Sequence, residues 1–472
     1  MRAPHVVTRI SSFAAREALP RIDAGAPSHR RALPPGDTAA CASQRAHAAL
    51  PSLSHPSSFM PPTPPTDAQL QARFRPVFAR IAEGAAQREH TRTLAHDAVR
   101  LLRESGFTAI RVPAEHGGLG VTPEQFYELL IELAEADSNL PQALRAHFGF
   151  VERVLVEFDP ARRAHWLRLV ADGRVFGNAT TEQGDGALGR LATRLRRDGP
   201  GWRLDGEKYY STGTLYADWV SVTAEREGGD VAQWRTIALV PTDAPGVERV
   251  DDWTGFGQRL TASGTTRFRD VAVEDAHVID FARQGSTPLT AVFQLFHIAT
   301  LAGIARAIER DTLNFVRQRK RVFSHGSGAT PSEDPLVQQV VGQLSSTAFV
   351  ATLATREVAR GLGELDRVRQ GGEPLDEQAL VDVELRAAKA QVVVTEAVLG
   401  AATRLFDVGG ASALQESRRL DRHWRNARTL ASHNPVIYKA RVIGEHALNG
   451  TRPTFYWAVG TRQGGAAGQP EA

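Results

Sequence analysis

Residues 192–212 read ATRLRRDGPGWRLDGEKYYST, and the architecture turns on how they are read. Apolar and polar side chains alternate on both sides of Gly199-Pro200-Gly201, the period-two pattern of two strands joined by a tight turn. The same character continues outward. WVSVTAE (219–225), RTIALVP (235–241) and TTRFRDVAV (265–273) are short runs rich in Val, Thr and aromatic residues, with turn residues between them. Residues 174–284 therefore read as a compact antiparallel, barrel-like β-domain.

Helical periodicity lies on either side. Upstream, Leu70, Phe74, Val77, Phe78 and Ile81 form a helical stripe, and Leu94, Ala98, Leu101 and Leu102 repeat it until Gly106 stops the helix. Thr122-Pro123-Glu124 reads as an N-cap with proline at the first helical position, opening helices over 124–136, 138–157 and 160–171. Residues 66–173 form a helical domain on this reading. Downstream, the periodicity predicts long helices over 290–323, 335–370, 376–408 and 414–450, with QGGEPLDEQ (370–378) as a loop. Such lengths suit a four-helix bundle over 285–460. The fold class is α+β: helical domain, β-domain, helical bundle.

The ends differ from this body. Residues 1–65 are rich in Ala, Pro, Ser and Arg and lack periodicity, which predicts a chain that buries too little to offset its ordering entropy. An Arg- and Ser-rich start resembles an organelle transit peptide, and a start at Met60 is the plainer reading. Residues 461–472 read as a flexible tail. The net charge of +3 is concentrated before Met60, where seven arginines face three acids. The body is near neutral and offers no case for nucleic acid or an anionic membrane. No membrane-spanning helix is expected. One cysteine, Cys41, excludes an intramolecular disulfide and fits a reducing, cytoplasmic setting. No metal-spaced cluster, paired catalytic carboxylates or nucleophile elbow is present. Gly184, Gly186 and Gly189 spell a dinucleotide-binding fingerprint, but the chain after them reads as strand, and that motif needs a helix N-terminus for the pyrophosphate.

The element order and several stretches together resemble the acyl-CoA dehydrogenase superfamily of flavoproteins over about residues 67–460. LLRESGFTAIRVPAEHGGLG (101–120), FGNATTEQ (176–183), DGEKYYSTGTLYADWVSV (205–222), GFGQRLTASGTTRFRDVAV (255–273) and FVRQRKRVF (315–323) carry the likeness. The resemblance implies flavin contacts from Asn178, Thr180, Thr181, Thr212 and Gly213. It implies phosphate contacts from Arg319 or Arg321, with Gly409, Gly410 and Ser412 in the loop FDVGGASAL (406–414). Trp253 is a candidate for lining the substrate mouth.

In common dehydrogenases of this superfamily a glutamate after the last bundle helix removes the substrate's α-proton. Here Ala431 falls at that place, and alanine cannot take a proton. The stretch DRHWRNARTLASHNPVIYK (421–439), followed by Leu448-Asn449-Gly450, resembles instead the two-component flavin monooxygenases that act on dibenzothiophene and small sulfones. That branch implies a catalytic group of His433, Thr212 and His147, with His147 also near substrate. It implies an enzyme that takes reduced FMN (FAD is the alternative) from a separate reductase, uses O2 through a flavin C4a-hydroperoxide, and oxygenates a small apolar sulfur- or nitrogen-containing compound. A homotetramer is expected. The competing readings are an FAD-dependent acyl-CoA dehydrogenase, with Glu416 as a candidate base, and a non-catalytic assembly protein.

Each residue also has a plainer reading. His433 could be a loop histidine and His147 a core histidine. Thr212 and Asn178 could close turns, and Arg319 and Arg321 could be solvated. Trp253 could be core. Trp424 and Arg425 read as packing and tethering residues, and Lys208 as a lysine snorkelling from the β-domain surface.

Overall fold

The computed structural model describes residues 64–157, 159–184, 186, 188–228, 235–280 and 287–455. All belong to one compact unit, Met60–Ala472. The expectations for Cys41, for the segment before residue 64 and for residues 461–472 lie outside the described residues.

The helical domain comprises α1 (Asp67–Thr91), α2 (His96–Glu104), α3 (Pro123–Ala136), α4 (Asn139–Glu157) and α5 (Pro160–Ala171). Thr66 with Gln69, and Thr122 with Gln125, form capping boxes that start α1 and α3. The predicted stripe of α1 is buried at Leu70, Phe74, Phe78 and Ile81. These side chains join the large core shared with the bundle residues from Ala291 to Val316.

Among the described residues, eight strands form one sheet: β1 (Phe176–Ala179), β2 (Arg194–Asp198), β3 (Gly201–Lys208), β4 (Trp219–Arg226), β5 (Arg235–Pro241), β6 (Val247–Arg249), β7 (Thr266–Val273) and β8 (Val278–Asp280). Their order is β6-β7-β3-β2-β4-β5-β8, with β1 beside β4. The β2–β3 hairpin has the expected register, Arg194 opposite Asp205 through Asp198 opposite Gly201. The sheet is mixed, however, not wholly antiparallel. β1 runs parallel to β4 at Trp219–Val222, and β2 runs parallel to the same strand at Glu225–Arg226. The chain thus pairs with one edge of β4, leaves it over residues 180–193, and rejoins that edge further on. Local periodicity reports strands but not their partners, so this excursion was not visible in the sequence. The glycines 184, 186 and 189 lie on it, and β2 follows them, not a helix.

The bundle contains α6 (Leu289–Gln318), α7 (Pro335–Gln370), α8 (Glu377–Arg404), α9 (Asp421–His433) and α10 (Val436–Asn449). α6 is long and apolar enough to cross a membrane by length and composition, contrary to expectation, but 89% of its apolar window is buried inside the protein. It is the central helix, packed on α3 and α4 as well as on α7, α8 and α9. Two boundaries differ from the sequence reading. α6 ends at Gln318, so Arg319 is its extended C-cap residue and Arg321 lies beyond the helix. The expected helix over 414–450 is two helices. Asn434 sits at φ −127° and ψ 124°, because Pro435 disfavours a helical conformation in the residue before it.

Candidate active site

The sheet's loops meet the helices along α4. Gly213, after β3, has φ +79°, and a Cβ there would collide with the carbonyl of Ala143 on α4. Only glycine allows this seating. Its amide donates to the carbonyl of Thr261 (3.0 Å), and the amide of Ser211 donates to that of Gly264 (3.1 Å). These bonds stitch together the loops over 209–214 and 257–264. Between them runs a row of hydroxyls: Thr212 Oγ1 lies 3.0 Å from Ser263 Oγ, which lies 2.8 Å from Thr261 Oγ1. Non-glycine residues with positive φ cluster here, at Tyr210 (60°), Gln258 (51°) and Ala262 (54°). Ser211 Oγ and both side-chain amide atoms of Gln258 are buried without a hydrogen-bond partner. Strain and orphaned polar groups together make these loops a candidate ligand surface. Neutral hydroxyls and amides of this kind fit the edge of a flavin ring.

Asn178 is on β1. The hydroxyl of Thr180 donates to its Oδ1 (2.8 Å), which leaves the side-chain NH2 free to donate outward. Lys208 corrects an expectation. It is not at the surface but 0% exposed, with Nζ 2.6 Å from Glu182 Oε1 and 3.3 Å from the Thr180 carbonyl. Glu182 in turn accepts from the amides of Ala192 (2.6 Å) and Thr193 (2.9 Å). The ion pair therefore ties Glu182 and the Thr180 carbonyl to β3, and the Tyr209 amide holds the Thr181 carbonyl (2.9 Å).

α9 is locked against these loops. Asn426 Oδ1 accepts from the Gln258 amide (2.6 Å), and its Nδ2 donates to Ser138 Oγ (3.1 Å). Arg425 ties Glu89 (2.8 Å) to the Phe256 carbonyl (2.8 Å), and Trp424 stacks on Phe256 with centroids 5.9 Å apart. Both are tethering residues, as read from sequence. One turn beyond Thr429 the helix ends at His433.

His433 faces α4 and α6. Arg145 Nη2 is 3.0 Å from His433 Nε2. Guanidinium only donates, so Nε2 accepts and the ring proton sits on Nδ1. The His297 ring lies 4.5 Å from that of His433, inclined by 53°. His297 is 1% exposed, and neither of its nitrogens has a partner. Gln294 is fully buried, accepts from Asn434 Nδ2 (3.0 Å), and leaves its own Nε2 unpartnered. Gln142 Oε1 and Arg145 Nε are also unpartnered. As a residue His433 is solvent-exposed. The surrounding protein, and then Arg145, push its pKa down to about 3. Burial, then His433 and Arg145, holds His297 well below its ordinary value. Both imidazoles are neutral near pH 7.

The other predicted residues fall elsewhere. His147 is a core histidine, not a member of the His433 group. Its Nε2 meets the Thr108 carbonyl (2.7 Å), and its Nδ1 accepts from the Phe176 amide (3.2 Å), so both nitrogens are spent within the fold. Trp253 donates to the Gln258 carbonyl (3.0 Å) and stands against Tyr210, with centroids 5.8 Å apart, at the rim of the strained loops. Arg319 donates to the Val408 carbonyl (2.7 Å), which brings it beside Gly409, Gly410 and Ser412, whose hydroxyl donates to the Gly409 carbonyl (2.9 Å). Arg321 is exposed. Arg319 follows the C-terminal end of α6, whereas His297 lies near its start; 22 residues at ~1.5 Å each separate them by about 33 Å. Ala431 is buried on α9, and Glu416 is an exposed residue paired with Arg419 (3.0 Å).

Sequence reasoning missed Arg145, Gln142, Gln294, His297 and Ser263. A signal existed for two of them: Gln294 and His297 interrupt the otherwise apolar LTAVFQLFHIATLAGIA (289–305) three residues apart, on one helix face.

The comparisons with known proteins follow the same geography. The N-terminal domain of acyl-CoA dehydrogenase matches residues 65–174, its middle domain 177–271 and its C-terminal domain 295–437. The probable FMNH2-dependent monooxygenase SfnC of Pseudomonas putida is 31% identical over 406 residues, 84% of this chain and 98% of that protein. Dibenzothiophene monooxygenase of Mycolicibacterium goodii is 28% identical over 363 residues, 75% of this chain and 87% of that protein. The crystal structure of FMN-bound TdsC from Paenibacillus sp. A11-2 superposes with a TM-score of 0.76 at 26% identity, over 82% of this chain and 98% of that one.

Proposed function

The chain belongs to the acyl-CoA dehydrogenase family, and from that premise we propose that it is a flavin-dependent monooxygenase of the branch containing these relatives, using reduced FMN and O2. A separate reductase delivers the reduced flavin, and the substrate is a small sulfur- or nitrogen-containing compound. A cytoplasmic location belongs to the same proposal. When bound, reduced FMN supplies the two electrons with which O2 gives one oxygen atom to substrate and one to water.

The observation that carries this reading is the state of His433. Arg145 occupies its Nε2, so the neutral imidazole carries its proton on Nδ1, next to Asn434, at the end of the helix whose Asn426 is bonded to the 257–264 loop. Asn178, Thr212 and Ser263 orient that edge without adding charge. Arg425, Asn426 and Trp424 hold α9 so that His433 keeps its place. Gln294 and His297 are buried on the α6 side of this corner, and keeping bulk water out matters where reactive oxygen must not be lost. The dehydrogenase reading, by contrast, has Ala431 where its base would stand, and the exposed Glu416 is no substitute.

Arg319 is too far along α6 to serve the flavin at His433 of its own chain. We assign it, with Gly409, Gly410 and Ser412, to the phosphate of a flavin bound by a neighbouring subunit, within a homotetramer. The exposed apolar Phe349, Val350 and Leu353 on α7 support such pairing.

His433→Ala tests the proposal. Product formation should fall about 100-fold or more, the usual weight of one placed acid–base group. Reduced-flavin oxidation should continue as release of hydrogen peroxide, with the fold unchanged. Unaltered product yield without extra peroxide would reduce His433 to a loop residue.

A further inference from the structure

The corner around His433 holds more positive charge than an acid–base role requires. Three other largely buried arginines have carboxylates beside them. Arg111 meets Glu152 and Asp366, Arg88 meets Asp137, and Arg425 meets Glu89. Arg145 is largely buried on α4 and has no carboxylate partner among the described residues. Its contacts are the neutral His433 and the face of Phe293, 5.6 Å from the ring centre. Burial alone draws its pKa down to about 10, the mark of a cation without a counter-charge.

Two residues with unpartnered polar groups stand with it: His297 has two unpaired nitrogens and Gln294 an unpaired amide NH2, while Arg145 keeps its own Nε–H. Each can donate a hydrogen bond, and each is costly to bury unmade. A lone charge and orphaned donors converging beside a reactive group form a receptor for an oxyanion. The space is small. Gly149 on α4 faces Phe293 on α6 so closely that a Cβ would run into the ring.

We propose that Arg145, His297 and Gln294 bind the anionic group of the substrate, so that the enzyme acts on a small organic oxyanion such as a sulfinate or a carboxylate in preference to a neutral heteroaromatic compound. This rests on the monooxygenase reading of the same site. A reduced flavin ring is also an anion, and it could use the same cation; the experiment separates the two.

Methanesulfinate is the probe, and uncharged dimethyl sulfoxide is the control of similar size. Binding is measured by calorimetry on the full chain, with and without oxidised FMN, for the parent, Arg145→Met, Arg145→Lys and Gln294→Leu. The parent should bind methanesulfinate at least tenfold more tightly than dimethyl sulfoxide. Arg145→Met should remove that difference, Arg145→Lys should retain part of it, and Gln294→Leu should reduce it with Arg145 intact. Reduced FMN, titrated anaerobically, should bind the parent and Arg145→Met within about threefold of each other. Equal binding of probe and control by the parent overturns the proposal. So does undiminished probe binding by Arg145→Met, or a loss confined to reduced FMN, which would assign the cation to the flavin ring. Because no turnover is involved, a probe that binds through Arg145 yet is never oxygenated would count against the monooxygenase reading and leave the anion site standing.

Discussion

Replacing Lys208 with Met tests whether the buried ion pair organises the loop to which we assign the flavin contacts of Asn178 and Thr180. The lysine is fully enclosed, while the Glu182 side chain keeps 16% of its surface in solvent. Burial pulls the Lys208 pKa down to about 8, although Glu182 opposes the shift. Removing one member of a buried pair typically costs 3–5 kcal/mol, because the other charge is left without compensation. Glu182 retains the amides of Ala192 and Thr193 and the Thr193 hydroxyl (2.7 Å), so its charge is partly met. The loss should lie near the lower end, about 3 kcal/mol. Urea unfolding at pH 7 reads it directly as a lower midpoint with an unchanged slope. Adding Glu182→Gln should recover part of the loss, since the uncompensated charge then disappears. Because the pair also holds the Thr180 carbonyl, and Thr180 orients Asn178, the single variant should bind reduced FMN several-fold more weakly. A loss below about 1 kcal/mol, the range of an exposed ion pair, would return Lys208 to the surface role its sequence context suggested and refute the latch.

Two further outcomes are expected. His147 has a folded pKa near 4 against 6.5 when free, so between those values the unfolded chain takes up a proton that the folded chain refuses. Its contribution is complete above pH 6.5 and is lost on acidification towards pH 4, about 3 kcal/mol in all; His147→Gln should flatten that part of the stability–pH curve and leave product yield within twofold, whereas a collapse of yield in a folded variant would restore His147 to the active site. Gly213→Ala forces a side chain into φ +79° and against the Ala143 carbonyl, so it should cost at least about 2 kcal/mol in urea unfolding and abolish flavin binding, and a variant as stable as the parent would contradict the described docking of sheet on α4.

Much of the architecture was legible because it is local. Period-two alternation around Gly199-Pro200-Gly201 and the stripe from Leu70 to Ile81 report their own secondary structure, and Pro435 announces the break after His433. The parallel pairing of β1 and β2 with β4 was not legible, since partner choice depends on residues more than thirty positions away. Lys208 was misread for a related reason. A lysine in an alternating strand looks solvated until the excursion over 180–193 covers it. The site divides in the same way. His433, Thr212 and Asn178 lie in stretches whose likeness to a family could be seen. Arg145, Gln294 and His297 acquire meaning only where α4, α6 and the α9–α10 junction converge, and His147, two residues from Arg145, points into the core instead.

Oxygen transfer from reduced FMN to a small heteroatom compound is read by supplying chemically reduced FMN and 18O2 to the purified protein with a panel of small sulfur and nitrogen compounds, neutral and anionic. A product carrying one 18O atom is expected, with reduced FMN consumed in proportion and little peroxide. Stoichiometric peroxide with no labelled product across the panel, together with anaerobic bleaching of bound flavin by an acyl-CoA, would contradict the proposed oxygen transfer.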